Sequence, residues 1–361
     1  MQKNAFNIYA SIIYIPIFIL YGLNGCNDLD SSLISQQHPS FCGTFHLEDP
    51  VCARPWLPYL DQIPIGTTWS LTHPHHAPLQ VGVSYDLNDQ DPSEWSEQTT
   101  ITFSKKGMLK VFVQVAAFEN SDQLSCESQS FSHIYEVIEE YDSEADTDGS
   151  KAIFMDDSRF IQWGEEISAI SYGSDVSPGF RIPDNALGKA SGGAFDVVSL
   201  GRGGEMTYFF EDGIANGPGP DFAIFENSFS DYFLELGKVE LSSDGLNYVT
   251  MPHAYLGEDF VHAFGEHESS LIYGLVGKYK AGYGTPFDLS TLAWSIEAQI
   301  GLIDLHAIHY VKIVDIIGDG QTYDMFQNPI YDPYPTQESA GLDIDAIGIM
   351  YSSTTTPCPL Q

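Results

Sequence analysis

Residues 199–245 read SLGRGGEMTYFFEDGIANGPGPDFAIFENSFSDYFLELGKVELSSDG. Three apolar runs of strand length, at 205–210, 222–226 and 238–242, lie between turns dense in glycine. Short runs rich in Phe, Tyr, Ile and Val, bounded by Gly, Pro and Asp, predict strands rather than helices. Carboxylates fall where the runs meet the loops, at Glu211, Asp212, Asp221, Glu226 and Asp244. This punctuation predicts an antiparallel β-sandwich with oxygen-rich rims, where hard cations and polar ligands bind.

The pattern extends in both directions. Further strands are expected at 167–172, 197–200, 310–316 and 346–351. No long amphipathic helix regularly separates them, which argues against a parallel α/β sheet and for an all-β sandwich or jelly roll. The glycine-rich stretch 256–302 is expected to be a long loop over one sandwich edge. Upstream, runs at 99–104, 109–115 and 132–138 predict a second, smaller β-unit. In LKVFVQV, Leu109, Val111, Val113 and Val115 share one face, the period of a half-buried strand. Between the two units lies EEYDSEADTDGSK, residues 139–151. Acidic and nearly devoid of apolar residues, it is expected to be an unpacked linker. The alternation of Asp142, Glu144, Asp146 and Asp148 leaves a calcium loop as the alternative, without the spacing of an EF-hand.

The chain has 361 residues, 50 of them Asp or Glu against 14 Lys or Arg. A net charge of −36 disfavours nucleic acid and anionic lipid surfaces, and suits a solvated exterior or cation binding. Lys3 followed by an apolar run at 8–23 reads as an export signal occupying 1–25. Leu23-Asn24-Gly25-Cys26 resembles a bacterial lipobox, with Asn24 where that pattern prefers Ala or Ser. The resemblance implies lipid on Cys26, a tether over 26–41 and a place in the outer membrane of the cell envelope. A secreted or signal-anchored protein is the alternative. Cys42, Cys52, Cys126 and Cys358 remain, an even number that allows two disulfides in three connectivities. Cys42–Cys52, closing a short loop, is the first choice, with Cys126–Cys358 then the second bridge. No zinc spacing occurs.

Two resemblances follow from particular residues. The order strand, Gly turn, strand, with Phe103, Gly107, Val111 and Val113 in place, resembles the end of a PKD or other immunoglobulin-like domain over 42–138. A hairpin in some other small sandwich has the same pattern. Downstream come Ala186-Leu187-Gly188, the glycine turn around Gly201 and Gly203, Gly217-Pro218-Gly219-Pro220-Asp221-Phe222 and Phe225-Glu226-Asn227. Next are Ser242-Ser243-Asp244-Gly245, Gly282-Tyr283-Gly284-Thr285-Pro286-Phe287, Asp332-Pro333-Tyr334-Pro335 and Gly341-Leu342-Asp343-Ile344-Asp345. This series resembles a family of bacterial surface lipoproteins that carry a PKD-like domain before a galactose-binding-like β-sandwich. It implies such a sandwich over 152–352 and a loop-like tail at 353–361; a shared fold does not supply a shared ligand.

Candidate sites follow from the same rims. Asp343 and Asp345, two apart on a strand, share a face, while Ile344 and Ala346 turn inward. With Asp221 and Glu226 flanking DFAIFE, they form a candidate calcium site; the alternative is that all four cap turns. Tyr279, Tyr283, Phe287 and Trp294 form a candidate aromatic platform for a glycan, or else fill space between loop and sheet. His73, His75 and His76 are expected to be exposed loop residues, and His306 and His309 packing or surface residues. No G-x-S-x-G, H-E-x-x-H or nucleotide-binding loop is present. The expected function is a non-catalytic extracellular binding module for a glycan or other polar ligand. The alternatives are an adhesive or structural envelope protein and a glycan hydrolase.

Overall fold

The computed structural model describes residues 60, 62–71, 78–119, 125–126, 128–293, 295–299 and 301–355. Cys26, Cys42, Cys52, Cys358, Trp294 and the histidines at 73, 75 and 76 lie outside them, as does the side chain of Cys126. The described residues all belong to one compact unit.

The chain is all-β, with only short helical turns among the described residues. The first strands are β1 (Gln62–Pro64), β2 (Thr68–Ser70), β3 (Leu79–Ser84), β4 (Thr100–Thr102), β5 (Gly107–Val115), β6 (Phe118–Glu119), β7 (Ser125–Cys126) and β8 (Gln129–Ile138). A four-stranded sheet runs β1-β8-β5-β3, with β1 parallel to β8. Leu109, Val111, Val113 and Val115 are buried in its core as their alternation predicts.

The larger sandwich follows. Its strands are β9 (Ile153–Phe154), β10 (Gln162–Trp163), β11 (Ile167–Ser171), β12 (Val198–Ser199), β13 (Glu205–Ile214), β14 (Phe222–Glu226), β15 (Gly237–Ser242), β16 (Val249–Thr250), β17 (Ala254–Tyr255), β18 (Ile272–Tyr273), β19 (Tyr283–Phe287), β20 (Ile308–Asp315), β21 (Asp319–Tyr323), β22 (Pro329–Tyr331) and β23 (Asp343–Ile349). One sheet runs β10-β23-β14-β19-β9 with β12 also on β23, and the other runs β11-β13-β20-β15-β16. Met206, Tyr208, Val239, Leu241, Val311 and Ile313 face Phe222, Ile224, Phe287, Ile344, Ile347 and Ile349 in the shared core. On β15 the outward residues form an ionic ladder instead: Glu240 takes Lys238 at 2.8 Å and Lys312 at 3.0 Å.

β14 is buried on both faces, which is why it reads as an unbroken apolar run. Phe222 and Ile224 enter the inter-sheet core; Ala223 and Phe225 pack outward against Phe160, Trp163 and Met350. β23 departs from simple alternation. Its register with β14 steps from Phe225↔Ala346 to Glu226↔Ile344, leaving Asp345 as the extra residue of a bulge. Ile344 therefore joins the inter-sheet core, while Ala346 joins the outer cluster rather than turning inward beside it.

Two expectations about connecting segments need correction. The stretch 256–302 contains β19, which pairs with β14 across Phe222–Phe287, Ala223–Pro286 and Ile224–Thr285. Pro286 is tolerated because β9 reaches only Tyr283 and Gly284, so the ladder on that side needs no donor from it. Residues 139–151 are not an unpacked linker. Tyr141 and Ala145 are buried, Tyr141 stacks on Tyr273 at 5.0 Å, and its N–H donates to Ser270 O at 2.9 Å. Two apolar side chains and one well-placed carboxylate, Asp142, suffice to fasten an otherwise acidic strap.

Candidate functional site

The rim carboxylates divide by strand direction. Asp221 immediately precedes β14 and Glu226 ends it, about 16 Å of extended chain apart. Because β23 runs antiparallel, Asp343 and Asp345 lie at the Glu226 end. Asp221 closes the turn before its own strand, accepting from Gly217 N at 2.6 Å and Leu289 N at 2.7 Å. Burial pushes its carboxyl up to about 8 despite those donors. Asp345 accepts from Ser191 N at 3.0 Å and Gly192 N at 2.9 Å, and burial raises it as well. Glu226 accepts from Ser228 N at 2.8 Å. Asp343 Oδ2 accepts from Asn227 Nδ2 at 3.1 Å, and the Ser199 hydroxyl also favours its charged form.

Three further acids join the Glu226 end: Glu235, Asp315 and Asp332. Asp315 accepts from Gly203 N and Leu342 N at 2.7 Å, and Asp332 from Leu236 N at 2.8 Å. Burial, then the neighbouring Asp343 charge, raises Glu226 and Glu235 far above the usual carboxylate range; burial lifts Asp343 and Asp315 to about 7. Each charge in the group opposes ionisation of its neighbours, which adds to the effect of burial. Among the described residues, no three His, Cys, Asp or Glu side chains are placed to hold one metal ion. Asp315 ends β20 and Asp332 follows β22 beside Pro333, the same signal that marked Asp221, whereas Glu235 lies between Leu234 and Leu236 and carries no such mark.

A cleft opens elsewhere, between the strap and the β19 side of the sandwich. Its volume is about 510 Å³, and its walls include Asp142, Lys151, Arg159, Tyr273, Lys278, Tyr279, Phe287, Ser290 and Thr291. At its base the buried Lys278 ammonium donates to Asp142 Oδ1 and to Ile272 O, both at 2.7 Å. It also lies 5.3 Å from the Tyr279 ring centroid. Burial draws the ammonium down to about 8 against the Asp142 charge. Burial opposes ionisation of Asp142 too, but Lys278, the Tyr279 hydroxyl and Lys151 N together hold it below its ordinary value. At the mouth Arg159 clasps Asp157 at 2.8 and 3.0 Å, and Lys151 reaches the Gln62 amide oxygen at 3.2 Å.

Of the aromatic candidates, Tyr279 and Phe287 are buried cleft walls, the latter stacked on Phe222 at 5.1 Å. Tyr283 stands at the sandwich edge, its hydroxyl donating to Asp146 and its ring 5.1 Å from that of Phe154. His306 is buried, and His309 Nδ1 lies 2.7 Å from Phe210 O. Sequence reasoning missed Lys278, although a cation inside the glycine and tyrosine run GLVGKYKAGYG is conspicuous in a chain with 14 Lys and Arg.

No known family model matches the sequence, and no curated protein is similar enough to align with it. Solved structures that resemble it include a SusE-like protein, 10% identical over 81% of this chain and 98% of that one, with a TM-score of 0.27. Similarity that slight informs neither fold nor ligand.

Proposed function

We propose that this chain is an exported, lipid-anchored binding module that holds a glycan, or a similarly polar ligand, in the cleft above Lys278 without turning it over. The cleft carries the reading. About 510 Å³ lies within the usual range of small-ligand sites. Its walls set the partly exposed ring of Tyr273, backed by the buried Tyr279 and Phe287, beside the hydroxyls of Ser290 and Thr291 and the charges of Asp142, Lys151 and Arg159. Apolar ring surface flanked by a few fixed donors and acceptors suits a sugar, which has an apolar face and a polar edge. The Lys278–Asp142 pair, tied to a backbone carbonyl and a tyrosine hydroxyl, gives that wall a fixed shape before any ligand arrives.

A glycan array probed with the protein, with and without calcium, tests this, followed by titration of Ser290→Trp. Ser290 is half-buried in the cleft wall, so an indole there fills the space. Saturable binding weakened at least tenfold by Ser290→Trp, with no product released, is expected. Release of a cleaved sugar, or affinity indifferent to the indole, would rule the reading out.

A further inference from the structure

The sandwich edge beside β19 exposes rings that the core does not use. Phe195 is 82% exposed, Phe229 65% and Phe154 42%. They form two pairs: Phe195 with Phe229, centroids 6.4 Å apart, and Phe154 with Tyr283 at 5.1 Å. The pairs belong to one surface. Ala281 N donates to Ser228 O at 2.9 Å and Met155 N to Gly282 O at 3.0 Å. Gly192 approaches Gly282 so closely that a Cβ on it would lie 3.4 Å from the Gly282 Cα.

The loops presenting these rings are firmly held. Asp345 fastens Ser191 N and Gly192 N, and Asn227 Nδ2 donates to Ala194 O at 2.8 Å. The Ser228 hydroxyl bonds to Ser230 O at 2.6 Å, and the Ser230 hydroxyl accepts from Phe233 N at 3.0 Å. Polar groups accompany Tyr283: Lys280 Nζ lies 5.8 Å from its ring centroid, 3.1 Å from Asp231 and 3.8 Å from Asp146, which also takes the Tyr283 hydroxyl. Large rings held out in water on hydrogen-bonded loops forgo stabilisation that burial would bring, about 25 cal/mol per Å² of apolar area.

We infer that this edge is a second carbohydrate site, an open platform on which a neutral oligosaccharide lies across the Phe195–Phe229 and Phe154–Tyr283 pairs. The inference rests on the reading of the protein as a glycan binder but places a separate site on it. Chemistry at the edge selects the occupant. A net charge of −36 opposes an anionic chain, a lipid phosphate surface or a second copy of this protein. An apolar protein partner would cover Asp146, Asp231 and Lys280 and strip their water at a cost. A sugar chain offers ring faces to the aromatics and hydroxyls to these ions.

Calorimetric titration of the protein with maltohexaose, cellohexaose, laminarihexaose, xylohexaose and mannohexaose, and with hexagalacturonate as the anionic counterpart, tests the inference. At least one neutral hexaose should bind. Phe195→Ala with Phe229→Ala should weaken it about tenfold, the loss of two ring contacts, with an unchanged melting curve because both rings are exposed. Tyr283→Ala should weaken the same hexaose. Ser290→Trp separates the sites: if it abolishes binding while the double phenylalanine variant does not, the cleft stands and the platform falls. Binding of no neutral hexaose, or preference for hexagalacturonate, would also overturn the platform.

Discussion

Replacing Asp343 by asparagine should make this protein more stable at pH 8, and should help it much less at pH 5. Asp343 is buried beside Glu226 and Glu235, and the Asn227 amide and Ser199 hydroxyl compensate its charge only in part. Burial raises its carboxyl from 3.8 to about 7. Between those values the folded protein keeps the proton and the unfolded chain releases it. Unfolding then discharges a proton, and stability falls as pH rises, by ~1.4 kcal/mol per unit for one such group. Over the whole interval the limit is roughly 4 kcal/mol, an upper bound for one acid buried among others. The replacement amide carries no charge, and its oxygen can still accept from Asn227. Urea denaturation midpoints at pH 5 and pH 8, in chelator, read the effect. A variant less stable than the parent at pH 8, or two parallel pH profiles, would refute the argument. Repeating the pair in calcium addresses the ion directly. An occupied site at this end of the sandwich would reverse the order, making Asp343→Asn the weaker protein.

Two other perturbations test how the site is held. Lys278→Met strands the buried Asp142 carboxylate and should cost about 3–5 kcal/mol in a urea titration, and adding Asp142→Asn should restore a large part of it. Gly277→Ala should lower the yield of folded protein sharply on size-exclusion chromatography. Gly277 has φ +84°, and its added Cβ would lie 1.8 Å from Glu235 O.

How much of the molecule was legible in the sequence depended on whether a segment's neighbours were local. β14 has the limits its flanking Pro220 and Asn227 announce, and β15 differs from its expected span by Gly237 alone. Both are set by adjacent turn residues and apolar alternation. β19 was hidden because a strand containing Gly284 and Pro286 is allowed only where a particular ladder is missing, a fact about β9 rather than about YGTPF. The bulge at Asp345 was equally invisible. Two-residue periodicity assumes an unbroken register, and the break belongs to the pairing with Phe225 and Glu226. At the site, strand-end carboxylates were readable one by one, while their grouping required knowing that β14 and β23 run in opposite directions. The Lys278–Asp142 contact spans 136 positions, and nothing local to either residue names the other.

The strap at 139–151 has a consequence for how the molecule can be cut. Asp142, Ser150, Lys151 and Ala152 contribute one wall of the cleft, and Tyr141, from the same segment, seals the seam against Tyr273 and Ala254. A truncated chain starting downstream of the strap would keep the sandwich strands yet lack that wall, and would uncover the apolar ground beneath Tyr141. The cleft wall travels with the strap rather than with the strands of the smaller unit, so a cut placed upstream of residue 139 would leave it in place.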